Sequence, residues 1–334
     1  MKRTEKAVFL VALISLTSVT LFAGGSGEKA PKYPTKPIDF IAPAGPGGGW
    51  DLTIRTVAKV LTDTKLVSVP LPVTNKPGGG GGVNLAYMQT KKGADNLIAV
   101  YSPPLLLIHL NGSSPYSYKN TTPIASLITD YGAFVVAKNS KYTSIAQVME
   151  DLKKDPSSVV IGGTSAVGSM DHIQFLIMAW AAGVKDLKKI KYVSFQEGSG
   201  PAQVLGGHIQ LLSTGLSDVR GLLQSGDLRG LAQTGPERVT ADVLKDIPTC
   251  KEQGINEVFR NWRGLFGPPE MPEYALIYWR KTLAEMVKTP EWDAACKQNG
   301  WSKNYMDAPE FLAFLNKTNE DYKAVLGEIG MLKQ

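Results

Sequence analysis

One pattern constrains this chain more than any other: an apolar run, a loop of glycine and small residues, then a helical segment, repeated at least three times. In the first instance Ile38 to Ala42 is followed by Pro43-Ala44-Gly45-Pro46-Gly47-Gly48-Gly49-Trp50-Asp51. Ile54, Val57, Ala58 and Leu61 then fall at i, i+3, i+4 and i+7, the spacing of one buried helical face. Asp51 precedes that face and suits its N-cap. In the second, Leu66 to Val73 alternates as a strand would, with Pro70 and Pro72 demoting it to a sheet edge, before Gly78 to Gly82 and the helical Val83 to Gln89. In the third, Val159 to Ile161 leads through Gly162-Gly163-Thr164-Ser165-Ala166-Val167-Gly168-Ser169 to Ile173, Leu176, Ile177 and Trp180, with Ser169 placed to cap. A related passage runs from a strand at Lys191 to Phe195 into Gln196-Glu197-Gly198-Ser199-Gly200-Pro201. Leu97 to Tyr101 reads as a further strand, Ile145 to Lys154 as a helix, and the tail from Pro272 as mainly helical with breaks at Pro290, Gly300 and Pro309. Alternating strands and helices imply βαβ units and a mostly parallel sheet. A chain of 334 residues is long enough to bury two cores, so two domains are expected.

The start of a helix exposes unpaired N–H groups and carries partial positive charge, so glycine and hydroxyl residues there make an anion site. Gly45 to Gly49 offer little side chain to obstruct a ligand, and Thr164, Ser165 and Ser169 add hydroxyl donors. Two such loops, one from each half, are placed to clamp a carboxylate. Each candidate also has a plainer reading. Glycines before a helix serve tight turns; Asp51 suits a cap better than a contact with an anion. Trp50 is either a partly exposed core residue or a lid. His172 and Glu197 have solvated polar roles as alternatives to ligand contact, and Ser217 and Asp218 suit the cap of the helix that follows.

Several function classes are excluded by spacing. Gly45 to Trp50 lacks the last glycine of a dinucleotide fingerprint, and no loop is followed by Gly-Lys-Ser/Thr. No G-x-S-x-G occurs, and His109, His172 and His208 lie far apart without metal-ligand spacing. No metal or other cofactor is expected. Lys2, Arg3 and Lys6, the apolar run Ala7 to Phe22 and the small residues Ala23 to Ser26 read as an export signal over 1–23, followed by a flexible segment over 24–32. Removing it lowers the formal charge from +6 to about +4, a mild basic excess that suits an anionic ligand. Lys and Arg are scattered among acids rather than gathered in a stripe, which argues against nucleic acid. In an oxidising compartment Cys250 and Cys296 are either bridged or two buried thiols.

Read together, these residues resemble a known family. Tyr33-Pro34-Thr35-Lys36-Pro37-Ile38, the Pro43 to Asp51 loop with Arg55, Asn75-Lys76-Pro77-Gly78, Gly162 to Ser169 with His172, Gly198-Ser199-Gly200-Pro201-Ala202, Pro248-Thr249 with Glu252 and Gly254, and Trp262-Arg263-Gly264-Leu265 before Pro268 are similar, in order, to the Bug-type substrate-binding proteins of tripartite tricarboxylate transporters. The resemblance implies an α/β protein of two periplasmic-binding-protein-like (type II) domains, each a mixed, mostly parallel sheet flanked by helices. It places 33–136 and 235–334 in one domain and 137–234 in the other. It implies a periplasmic, monomeric, non-enzymatic receptor that closes on a small di- or tricarboxylate and delivers it to membrane permease subunits. The ligand residues it implies are Ala44, Gly45, Pro46, Gly47, Gly48, Gly49, Trp50 and Asp51; Ser102; Gly163, Thr164, Ser165, Gly168, Ser169 and His172; Glu197, Ser199 and Gly200; and, from the residues alone, Asp218. Phe195-Gln196-Glu197-Gly198 departs from the family's Tyr-Lys-Gly, so the side-chain part of ligand selection differs here. Two rival readings are a secreted enzyme acting on a carboxylate and a ligand-binding partner of a sensor kinase.

Overall fold

The computed structural model describes residues 32–195 and 199–333; the export segment and Glu197 lie outside the described residues. The first sheet is built from β1 (Asp39–Ala42), β2 (Val73–Asn75), β3 (Leu97–Tyr101), β4 (Thr122–Thr129), β10 (Trp262–Gly267) and β11 (Ser302–Met306), in the order β11-β4-β10-β3-β1-β2. The second contains β5 (Gly132–Ala137), β6 (Val160–Gly163), β7 (Lys191–Ser194), β8 (Leu211–Gly215) and β9 (Leu228–Gln233), in the order β7-β6-β8-β5-β9. Strands β1, β2 and β3 pair in parallel, as do β6, β7 and β8. The strands next to the crossings, β4, β5, β9, β10 and β11, pair antiparallel, so parallel pairing belongs to the loop-bearing half of each sheet.

Each loop-bearing strand feeds the helix the periodicity predicts: β1 leads to α1 (Gly49–Asp63) and β6 to α5 (Met170–Ala181). The remaining helices are α2 (Gly82–Gln89), α3 (Pro104–Leu110), α4 (Ile145–Lys154), α6 (Gly200–Leu205), α7 (Leu216–Gln224), α8 (Glu273–Met286), α9 (Pro290–Asn299) and α10 (Ala308–Glu328). The expected strand over 66–73 shrinks to β2 at the sheet edge, because Pro70 and Pro72 have no N–H to give. Their carbonyls still accept from Ile38 and Phe40 at 3.1 and 2.9 Å. In the tail, Pro290 and Pro309 stand in the first turns of α9 and α10, where proline is tolerated, and the polar β11 between them carries too weak an alternation to be read from sequence.

The chain crosses between the sheets at Asp130-Tyr131 and returns through 234–261; Asp130 N–H donates to Asn261 O at 2.9 Å, tying the two crossings together. Strand β5 pairs only within the second sheet, so sheet membership changes between Thr129 and Gly132, ahead of the 136/137 boundary expected. Apolar packing does not split into two private cores either. One cluster contains Ile41, Leu105 and Trp262 from the first half together with Phe134, Ile161 and Phe175 from the second, while two smaller clusters belong to one half each. Of the two readings left open for the cysteines, the structure has the second: Cys250 and Cys296 are free, buried thiols in different clusters, and burial pushes both up to about 12.

Candidate functional site

The two glycine loops sit at the carboxyl ends of β1 and β6, where open α/β sheets present their ligand crevice. In the first loop Gly48, not Asp51, is the N-cap of α1, and its side chain makes no cap bond because it has none. Asp51 stands in the first turn and folds back. It accepts from Gly47 N–H at 2.9 Å, Asn75 Nδ2 at 2.8 Å and Arg55 Nε at 2.8 Å. Asn75 also donates to Ala44 O at 2.9 Å. Burial opposes ionisation of Asp51, but the bonds from Arg55, Gly47 and Asn75 outweigh it and hold the carboxyl below its usual range. The acid therefore serves the loop's shape. Gly47, at φ 80, needs the left-handed conformation that favours glycine.

What this leaves uncommitted is the helix start itself. The N–H groups of Gly49, Trp50 and Asp51 have no acceptor among the described residues, as helix geometry requires of a first turn. Directly behind them Arg263 donates to Gly49 O at 2.8 Å and Thr53 Oγ1 at 2.7 Å. Arg263 is 2% exposed and pairs with Asp130, which is fully buried and also accepts from Ser217 Oγ at 2.7 Å. Burial raises Asp130 above the usual carboxylate range against the pull of Arg263. Trp50 is half-buried; its Nε1 donates to Ser102 Oγ at 2.8 Å and its ring meets Tyr101 edge-on with centroids 5.7 Å apart. A Cβ on Gly81 would come within 3.2 Å of that indole, so the five-glycine turn is what lets Trp50 lie there.

The second loop is differently wired. Asp171 accepts on one oxygen from Thr164 N–H at 2.8 Å, Thr164 Oγ1 at 3.0 Å and Ser165 N–H at 2.9 Å. Asp171 N–H donates to Ser165 Oγ at 2.8 Å, and Gly168 N–H donates to His172 Nδ1 at 3.0 Å. Thr164, Ser165 and His172 thus turn their polar groups onto the loop. His172 is buried, not solvated; it stacks on Tyr192 at 4.4 Å, and burial lowers it to about 4, leaving it neutral. Burial, then the charge of Asp218, raise Asp171 to about 7. Gly163 is required because a Cβ there would lie 2.6 Å from that of Asp171. Ser169 is the N-cap of α5, but its hydroxyl does not cap: it is fully buried with no hydrogen-bond partner among the described residues.

The halves meet at this loop. Asn111, at the end of α3, donates to Gly168 O at 2.8 Å, and a Cβ on Gly80 would lie 3.7 Å from Ser169 Oγ. Gly200 comes alongside, since its Cβ would lie 3.2 Å from Thr164 Cγ2, while Ser199 is exposed. Asp218 is exposed in the first turn of α7 and accepts from Thr214 Oγ1 at 3.2 Å. Sequence reasoning named most of both loops but missed Asn111, Gly80, Gly81, Asp130 and Asp171. Arg263 was visible in the Trp-Arg-Gly-Leu run without a role, since nothing local shows that it reaches Gly49.

The architecture has close counterparts among solved structures. The periplasmic binding protein BugD superposes with a TM-score of 0.79 at 21% identity, covering 90% of this chain and 100% of that one. A Rhodopseudomonas palustris protein solved with adipate gives 0.81 at 18%, covering 90% and 99%, and one from the same organism with bound malate gives 0.77 at 17%, covering 88% and 100%. By sequence, protein BugT of Bordetella pertussis is 29% identical over 285 residues, 82% of this chain and 84% of that protein. The model of the tripartite tricarboxylate transporter family receptor matches residues 54–331, most of the chain, beginning just after the first glycine loop and including the second, and the chain therefore belongs to that family of solute-binding receptors.

Proposed function

We propose that this protein captures a small organic carboxylate between the two glycine loops and delivers it to membrane permease subunits. The observation that carries this reading is the uncommitted first turn of α1. Three N–H groups at the start of a 15-residue helix converge on a loop whose residues are too small to obstruct a ligand's oxygens. Arg263 behind them, paired with Asp130, fixes the turn by donating to Gly49 O. The bound adipate and malate of two similar structures support a di- or tricarboxylate rather than an inorganic anion. Rotation about Asp130-Tyr131 and the return crossing would open the crevice, with 33–130 and 261–333 moving against the remainder, as in hinged binding proteins.

The family's members are periplasmic, and the basic, apolar start of this chain supports export by a signal over 1–23. Among the described residues no helix is long and apolar enough to cross a membrane. A thermal melt against a panel of di- and tricarboxylates tests the reading, because a ligand at about 100 times its Kd adds roughly 2.7 kcal/mol to stability. At least one acid is expected to raise the melting temperature and to be recovered chemically unchanged. If no acid shifts the melt while an uncharged solute does, or if the acid is consumed, the reading is wrong.

A further inference from the structure

Away from the glycine loops, a pocket of about 610 Å³ opens where the return crossing meets α10. Its size falls in the range of small-molecule sites. Its walls are aromatic: Phe259 stacks on Tyr322 with centroids 6.1 Å apart, and Trp262 meets Phe314 edge-on at 6.1 Å. Ile177 of α5 also lines it, so both sheets' halves contribute to its surface.

Two polar features give this apolar space a direction. Trp262 is fully buried, and its Nε1 has no hydrogen-bond acceptor among the described residues. A buried donor without a partner costs on the order of 1–3 kcal/mol. Arg260, at the mouth, is exposed and makes no ion pair or hydrogen bond among the described residues. Lys317 and Asp321, also on the rim, neutralise each other at 2.6 Å, so the net uncompensated charge facing the pocket from α10 is small. Glu257 on the crossing also lines the pocket and accepts from Val258 N–H at 2.8 Å through one carboxylate oxygen.

From this geometry we infer that the pocket is a second binding site, for an amphipathic organic anion whose aryl or alkyl body packs on Phe259, Trp262 and Tyr322 while its acid group meets Arg260. The site is separate from the glycine loops, and it does not depend on what those loops bind.

The test uses 4-phenylbutyrate as the acid probe and 4-phenylbutanol as its uncharged counterpart, with indole N–H signals read in 15N spectra of the full exported chain. The Trp262 signal is assigned from Trp262→Phe. The acid is expected to shift that signal with a Kd about tenfold below that of the alcohol, the worth of one charge-assisted hydrogen bond. Arg260→Ala should bring the two probes to equal affinity, and Thr318→Trp, which places a large side chain on the half-buried wall of α10, should abolish both shifts. The inference is overturned by no movement of the Trp262 signal at millimolar probe, or by equal binding of acid and alcohol by the unaltered protein. Shifts that survive Thr318→Trp also overturn it, because the probe would then be bound elsewhere.

Discussion

In the first glycine loop the acid at the helix start, Asp51, faces a guanidinium, and in the second its counterpart, Asp171, has no cationic partner among the described residues. Both acids close their loops by accepting loop amides, yet the consequences diverge. Asp51 takes a single loop amide, that of Gly47, and is stabilised as an anion from the side by Arg55. The first turn of α1 stays open, with Arg263 behind it. Asp171 takes the amides of Thr164 and Ser165, while Ser165 and His172 take those of Asp171 and Gly168. One loop leaves backbone donors uncommitted, whereas the other is largely satisfied internally; in the function proposed above the first would hold the guest and the second would close over it. Like sequence patterns therefore do not imply like roles; what differs is where the nearest charge stands.

The sharpest way to break this contrast is to remove the charge behind the first loop. Arg263→Ala leaves Asp130 buried without its partner, and a buried pair broken on one side costs about 3–5 kcal/mol. Chemical denaturation is expected to show a loss of that size; a cost near zero would mean that Arg263 is not what anchors Gly49. Asp51→Ala removes three hydrogen bonds from a charged acceptor and should cost about 1.5–3 kcal/mol, while also weakening carboxylate binding by releasing Gly47.

Gly48→Val probes the open turn with less damage to the fold. Gly48 has extended backbone at φ −72 and ψ 163, and a Cβ there meets only ordinary contacts at 3.4 and 3.7 Å, whereas Gly47 at φ 80 would be strained by any side chain. About a tenfold loss of carboxylate affinity with little change in melting temperature is expected, some 1.4 kcal/mol. Unchanged affinity would move the ligand off this loop.

The last effect is one of pH, and it has opposite signs in the two loops. Asp171 is raised from 3.8 to about 7, so between those values the folded state holds a proton that the unfolded state has lost, and stability falls as pH climbs from about 4 to about 7. Asp51 is lowered, so its contribution is present above 3.8 and is lost as pH falls below it. Melts from pH 3 to 8 should lose part of the upper slope in Asp171→Asn and part of the lower slope in Asp51→Asn. If both variants alter the same limb, the two acids are not wired differently.

The sequence carried the strand, loop and helix order because glycine, proline and apolar spacing act locally. Leu97 to Tyr101 and Ile145 to Lys154 fall where the periodicity places them. The part that was not legible is the part made by distant residues. Asp51 looked like a cap because caps precede apolar faces, but a cap one turn earlier and Arg55, Asn75 and Gly47 around it decide otherwise. Ser169 occupies its expected N-cap position with its hydroxyl left free, because Ser165, four residues back, accepts from Asp171 N–H instead. Arg263 lies 214 positions from Gly49, and Asp130 carries no motif at all; only the topology that sets β10 beside β3 and β4 brings them under the loop.

The most direct test of the central claim follows backbone amides in 15N spectra while a carboxylate such as adipate or malate is titrated in. The account predicts that Gly49 and Trp50 N–H signals move downfield and saturate together with the binding curve, while those of Thr164 and Ser165, already hydrogen-bonded to Asp171, move little. Saturable binding that leaves Gly49 and Trp50 unmoved would contradict it.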